Sequence, residues 1–354
     1  MTERVDPDRP NPDRLNADNL IEIQDLHTHF FTDEGVVKAV EGTSFTVPRG
    51  KTLCVVGESG SGKSITARSI MRIVAHPGKI VSGDIWYYRT PTETVNLAKF
   101  DPRGEDIRAI RGKEISMIFQ EPMTALSPIH TIGNQMMEMV RLHLPVSKQE
   151  AFDRSVKMLG RVGIPKPKDR MSAYTFELSG GMRQRVCIAM ALVCEPRLLI
   201  ADEPTTALDV TTQANILDLI YDLQQEMGMS VMFITHDLGV VAEIADSVVV
   251  MYLGKAVEKA DIDSIFEDPK HPYTQALMRS IPKLDLQERE RLEQIRGMVP
   301  HPFNRPSGCG FHTRCDQFQR GLCDKVVPEL IQLEGGREVS CLLYDETHAK
   351  EAVA

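Results

Sequence analysis

Eight consecutive residues, Gly57 to Ser64, read GESGSGKS, a G-x-x-x-x-G-K-S pattern. Gly57, Gly60 and Gly62 let backbone N–H groups converge on an anion, with the variable residues Ser59 and Ser61 between them. Lys63 is long enough to reach β- and γ-phosphates, and the Ser64 hydroxyl suits Mg²⁺. The implied chemistry is binding of a nucleoside triphosphate, ATP or GTP. A bare Gly-rich turn with a surface lysine would share the string. It would not share the setting, in which the apolar run Leu53–Val56 precedes the loop and a helical pattern follows it.

A second constellation is "RLLIADEPTTALD" (197–209), where a short apolar run ends in Asp202 and Glu203. Two acids leaving the carboxyl end of a buried strand lie where doubly wound α/β folds place ligands. Asp202 suits Mg²⁺, and Glu203 suits a general base acting on water. A third is "ELSGGMRQRVCIAMAL" (177–192), with Ser179 as N-cap and Gly180 and Gly181 leaving amides uncovered at a helix start, a second anion site.

The fourth is a group of thiols near the C-terminus: Cys309, Cys315, Cys323 and Cys341, separated by five, seven and seventeen residues. No C-x-x-C pair is present, and the compact ferredoxin run is absent. Spacing therefore leaves zinc and an iron–sulfur cluster both open. Cys54, Cys187 and Cys194 lie in apolar patterns and read as ordinary buried thiols.

The elements that must position these residues are strands ahead of Gly57 and Asp202 and helices after Gly62 and Ser179. The chain has 354 residues, 42% hydrophobic and 26% charged, a globular balance with room for more than one domain. Its net charge of −9 argues against a general nucleic-acid binder. No apolar run approaches a membrane span, and the polar, Pro- and Asp-rich start reads as a disordered lead over 1–19. Clustered thiols with no export signal point to the cytoplasm.

"LSGGMRQR" just upstream of "LLIADEP" is the motif order of the ATP-binding cassette (ABC) family, which the chain resembles over roughly 20–265. The resemblance implies further roles. Gln120 in "ISMIFQEPM" matches the loop glutamine that senses Mg²⁺ and water. Ala207-Leu208-Asp209 matches the loop crossing the dimer interface. His236 in "VMFITHDL" matches the switch histidine at the γ-phosphate, and Phe30, with Phe31 as rival, the adenine-stacking aromatic. The expected fold is α/β: a RecA-like P-loop core over 20–90 and 176–265, an antiparallel β portion, and a helical subdomain at about 105–175. In this family two cassettes face head to tail, so Ser179, Gly180 and Gly181 of one complete the phosphate loop of the other. One set of motifs per chain implies a second ATPase subunit, self or paralogue.

"IFEDPKHPYTQALMRSIP" (265–282) and the pattern P-x-G-C-x-F-x-x-R-C at Pro306 to Cys315 resemble the C-terminal extension of dipeptide and oligopeptide importer ATPases. Ser127, where Asn is common, and Asp316, where Pro is common, depart from that pattern. The resemblance implies a 266–354 extension and an ATP-hydrolysing motor for peptide import. It implies two permease subunits, a solute-binding protein and a peripheral place on the cytoplasmic face of the membrane, without nucleic acid. Nickel, glutathione or oligosaccharide stand as alternative solutes, and a soluble non-transport ATPase as an alternative class. Matching cysteines in those importers hold a [4Fe–4S] cluster, which the resemblance assigns to Cys309, Cys315, Cys323 and Cys341.

Overall fold

The computed structural model describes residues 18–90, 92–120, 125–206, 208–280 and 295–345; almost all of the expected 1–19 lead, and Ala207, lie outside them. In chain order the strands are β1 Asn19–Thr32, β2 Gly35–Pro48, β3 Thr52–Val56, β4 Gly78–Tyr88, β5 Thr94–Asn96, β6 Ile115–Ile118, β7 Leu198–Asp202, β8 Ser230–Thr235, β9 Ser247–Tyr252, β10 Lys255–Asp261, β11 Ile331–Gln332 and β12 Glu338–Val339. They belong to two compact units.

The first unit takes the described residues within Met1–Thr46, Leu53–Lys99 and Thr235–Ala354. It holds an antiparallel sheet in the order β2-β1-β4-β5, with Ile21 opposite Tyr87 and Phe30 opposite Gly78. It also holds the order β11-β12-β10-β9-β3, in which β3 runs parallel to β9 and β10 antiparallel to both β9 and β12. β3 is buried at every position, the continuous apolar run of a parallel strand covered on both faces. A helix, Lys63–Ile70, follows it and is pinned to β1 by a buried Ser69–Thr28 hydroxyl bond of 2.9 Å. The C-terminal segment adds β11 and β12 to the sheet edge beyond β10, through Glu258 opposite Val339.

The second unit takes the described residues within Val47–Thr52 and Phe100–Ile234. Its strands β6, β7 and β8 are parallel, with Ile115 beside Leu198 and Leu198 beside Ser230. The stretch expected to be helical carries Glu105–Ile110, Ile132–His143, Lys148–Arg161 and Pro167–Arg170. Thr131 and Ser147 cap two of these helices, each accepting from the N–H three residues on. Helices Gly180–Leu192 and Val210–Met227 complete the unit, the latter ended by Gly228 at φ +63°. Among the described residues no helix is long and apolar enough to cross a membrane.

Candidate nucleotide site and cysteine cluster

The phosphate loop leaves the buried end of β3 and enters the helix Lys63–Ile70, as its chemistry requires. Two of its glycines are obligatory. A Cβ on Gly57, at φ +148°, would lie 2.2 Å from the Met251 carbonyl oxygen. One on Gly62, at φ +100°, would lie 2.5 Å from that of Ala39. The turn after β9 closes over the loop as Gly254 N–H donates to Ser61 O at 2.8 Å. Lys63 is buried, and its Nζ donates to Gly57 O at 2.7 Å and Glu58 O at 3.1 Å, which fixes the ammonium across the loop. Ser59 and Gly60 are exposed at the loop's outer edge, and Ser64 is half-buried in the first helical turn.

Phe30 and Phe31 have different surroundings. Phe30 is half-buried against Gly78, where an added Cβ would meet its ring at 2.6 Å. Phe31 is 43% exposed and has Lys79 Nζ 4.5 Å from its ring centre. His236 follows β8 and is exposed; Asp237 beside it caps the helix Leu238–Ile244.

In the second unit, Asp202 ends β7 wholly buried. Glu203 departs from the strand at φ +47°, a strained backbone of the kind that clusters at functional sites. Its N–H is held by Ile234 O at 2.9 Å. Its Oε2 accepts from Gln120 Nε2 at 3.0 Å and from the Thr206 hydroxyl at 3.1 Å. Gln120 and Glu203, 83 residues apart, are thus brought into direct contact. Ser179 accepts from Met182 N–H at 3.3 Å, leaving Gly180 exposed at the helix start. Gln184, on the same helix and fully buried, donates to Pro204 O and so ties it to the segment after Glu203. Asp209 caps Val210–Met227, and its bonds from Thr212 hold its carboxyl below the usual range.

The four C-terminal thiols gather in the first unit. Cys309 N–H donates to Cys323 O at 2.8 Å, and Cys341 lies close enough to Cys309, Cys315 and Cys323 for their charge to disfavour its thiolate. Burial first, then these neighbours, push the thiol of Cys341 up to about 12 and that of Cys315 up to about 11. A bound cation would reverse that preference, as coordinating thiols lose their protons. Among the described residues no three of these sulfurs fall within 4.8 Å of one another. Zinc, with Zn–S bonds of about 2.3 Å, would bring its sulfurs to roughly 3.8 Å apart. His27, His29 and Glu41 do gather within that limit, but Glu41 is already paired with His29 at 2.7 Å and Lys38 at 2.8 Å.

The sequence reading missed two further residues. Tyr273, in the helix Pro272–Arg279, accepts the Glu58 N–H on its hydroxyl at 2.9 Å. Arg314, between Cys309 and Cys315, meets the Glu58 carboxylate with Nη1 at 2.6 Å and Nη2 at 3.0 Å. The signal was present in the H-P-Y and R-C pairs of the C-terminal pattern. Their partner, 256 residues from Arg314, could not be read from spacing.

Comparison with known proteins identifies the family. The ABC transporter family matches residues 40–206, and the family described as oligopeptide/dipeptide transporter, C-terminal region, matches 257–323. The chain is 48% identical to the oligopeptide transport ATP-binding protein AppD of Bacillus subtilis, covering 94% of this chain and 99% of that one. It is 44% identical to the dipeptide transport ATP-binding protein DppD of Haemophilus influenzae, over 91% and 94%. Among solved structures, a dimer of the ATP-binding cassette MJ0796 matches with a TM-score of 0.60, covering 69% of this chain and 99% of that one at 23% identity, a likeness of fold. The chain belongs to the ABC transporter family, as an ATP-hydrolysing cassette subunit that carries the oligopeptide/dipeptide-type C-terminal region.

Proposed function

We propose that this chain powers the import of di- or oligopeptides through separate permease subunits, peripheral to the membrane on its cytoplasmic side. A solute-binding protein would select the cargo. The observation that carries the reading is that one chain joins the cassette at 40–206 to the peptide-transporter C-terminal region at 257–323. Its relatives are named for oligopeptide and dipeptide transport over more than nine-tenths of the chain. The working division is a cassette over 20–265, with a helical portion at about 105–175, and a C-terminal segment over 266–354.

Within that reading the residues divide the work. Phe30, with Phe31 as rival, would stack on adenine, the Gly57–Gly62 amides and Lys63 would bind the triphosphate, and Ser64, Asp202 and Gln120 would hold Mg²⁺. The metal supplies charge neutralisation on the phosphates. Glu203 removes a proton from the attacking water; Gln120, bonded to its Oε2, fixes the carboxylate. His236 donates to the γ-phosphate. A second cassette supplies its Ser179–Gly181 amides, and its Ala207–Asp209 loop crosses the interface.

The match of Cys309, Cys315, Cys323 and Cys341 to the cysteine pattern of peptide-importer ATPases supports a [4Fe–4S] cluster, with zinc as the alternative. Such a cluster would hold the chain's C-terminal turns in place. The deciding experiment is ATP hydrolysis by the complex reconstituted with its permeases and binding protein. Stimulation by peptide supports the reading. Stimulation by nickel, glutathione or oligosaccharide alone overturns the solute, and co-purification with ribosomes or nucleic acid in place of permeases overturns transport.

A further inference from the structure

We propose that Arg314 and Tyr273 are positioning residues for nucleotide binding: they clamp Glu58 and thereby let the C-terminal segment set the shape and charge of the phosphate loop. The proposal rests on the assignment of Gly57–Ser64 to the ATP phosphates.

Glu58 is the first variable residue of the loop, and its polar groups are engaged on both sides. Its carbonyl accepts from Lys63 Nζ at 3.1 Å and from Ser61 N–H at 3.1 Å, both within the loop. Its N–H goes to Tyr273 and both carboxylate oxygens go to Arg314, both in the C-terminal segment. One of the two residues whose carbonyls seat Lys63 is therefore the one the C-terminal segment grips. A paired guanidinium fork fixes orientation as well as distance.

The grip is itself rigid. Arg314 is 7% exposed, donates from Nε to Arg296 O at 3.0 Å and lies 3.3 Å from the Tyr252 hydroxyl. Tyr252, Tyr273 and Phe311 pack with ring centres 4.7 to 5.3 Å apart, and the guanidinium lies 5.8 Å from the Tyr252 ring and 6.0 Å from that of Phe311. Tyr252 ends β9, the strand whose Met251 carbonyl limits Gly57. The short turn His312–Arg314 starts where His312 N–H donates to Cys309 O and ends at Cys315, so the main chain between these two residues fixes the arginine's approach.

Charge gives the clamp a second effect. A carboxylate at the edge of a loop built for a polyphosphate repels its ligand, and Arg314 neutralises it. Losing the arginine alone should therefore be worse than losing both members of the pair. A purely structural ion pair carries no such expectation for ligand affinity.

The test is calorimetric titration of MgATP into the full chain, with thermal unfolding and kcat at saturating ATP measured on each variant. Arg314→Gln should weaken MgATP about tenfold or more by leaving the Glu58 charge beside the phosphates. Glu58→Gln should weaken it less, and the double variant should return to the Glu58→Gln level. Tyr273→Phe should cost roughly twofold to threefold, one neutral hydrogen bond. Measuring kcat at saturating ATP separates a loss of affinity from a loss of turnover. Wild-type affinity in Arg314→Gln with only a lowered unfolding temperature would overturn the proposal, as would a double variant weaker than Arg314→Gln. Where Arg314→Gln does not fold, Arg314→Lys keeps the charge and loses the fork. Intermediate affinity then supports the clamp, and wild-type affinity in both Arg314→Lys and Glu58→Gln overturns it. Absence of MgATP binding by the wild-type chain would instead sink the phosphate-loop assignment.

Discussion

Two glycine turns in the first unit invite comparison: Gly57–Ser64 and Gly308–Cys315. Each begins with a glycine at positive φ pressed on a backbone oxygen, Met251 O at 2.2 Å from a would-be Cβ in one and Cys323 O at 2.4 Å in the other. The phosphate loop is then held by main-chain bonds, by Lys63 across it and by the grip of Tyr273 and Arg314 on Glu58. The thiol turn is held by Cys309 N–H on Cys323 O and His312 N–H on Cys309 O, and its Arg314 side chain reaches Glu58. A loop shaped by its own backbone announces itself through glycine spacing. The side-chain grip that joins the two turns does not.

The sharpest test of that division separates holding from chemistry. Glu203→Gln, in neither turn, should lower ATP hydrolysis by about 10²–10⁴-fold, the range for a general base. It should leave MgATP affinity intact. Phosphate release alongside equilibrium binding checks it, and near-wild-type hydrolysis would remove Glu203 from the role of base.

The next largest effect contrasts the two glycines directly. Gly57→Ala drives a methyl into Met251 O from a backbone few side chains adopt, and should weaken MgATP by at least about 100-fold. Gly308→Ala should leave MgATP within about tenfold of wild type while bound iron, measured by metal and sulfide analysis, is lost. Equal loss of nucleotide binding in both would mean the turns are one unit and the comparison fails. On the same logic, Cys341→Ser should abolish iron retention and lower the unfolding temperature by a few degrees. Full stoichiometric zinc with no iron in the wild-type chain would defeat the cluster.

What could be read from the sequence follows the same line. β3, β7 and the helix starts at Lys63 and Ser179 were legible because apolar runs, glycines and an N-cap are local signals. Glu203's place at a strand end was legible, but its bond to Gln120 was not, because nothing in "IFQEP" names a partner 83 residues on. The C-terminal segment was the least legible. Its short strands β11 and β12 have two residues each, too few for periodicity, and they exist because β10 offers an edge to pair with. Arg314 and Tyr273 carried chemistry that only folding could direct at Glu58.

The smallest expected effect concerns the residue that starts the helix bearing Tyr273. His271 is 1% exposed, and its Nδ1 accepts the Tyr273 N–H at 3.0 Å. Burial pushes its pKa from the ordinary 6.5 down to about 3. The folded value lies below the unfolded one, so the stabilisation is complete above about pH 6.5 and is lost as pH falls towards 3. In that window the unfolded chain takes up a proton that the folded chain refuses, with a slope of up to about 1.4 kcal/mol per pH unit. His271→Asn keeps an acceptor at the helix start and cannot titrate. Urea unfolding at pH 7, 6 and 5 should therefore show a flatter fall in stability for the variant than for wild type, and identical slopes would show that His271 is not held neutral by the fold. Because the folded imidazole stays neutral throughout that range, the two proteins should bind MgATP alike at pH 6. Acid then loosens the packing that joins the two turns without changing the phosphate loop in molecules that remain folded.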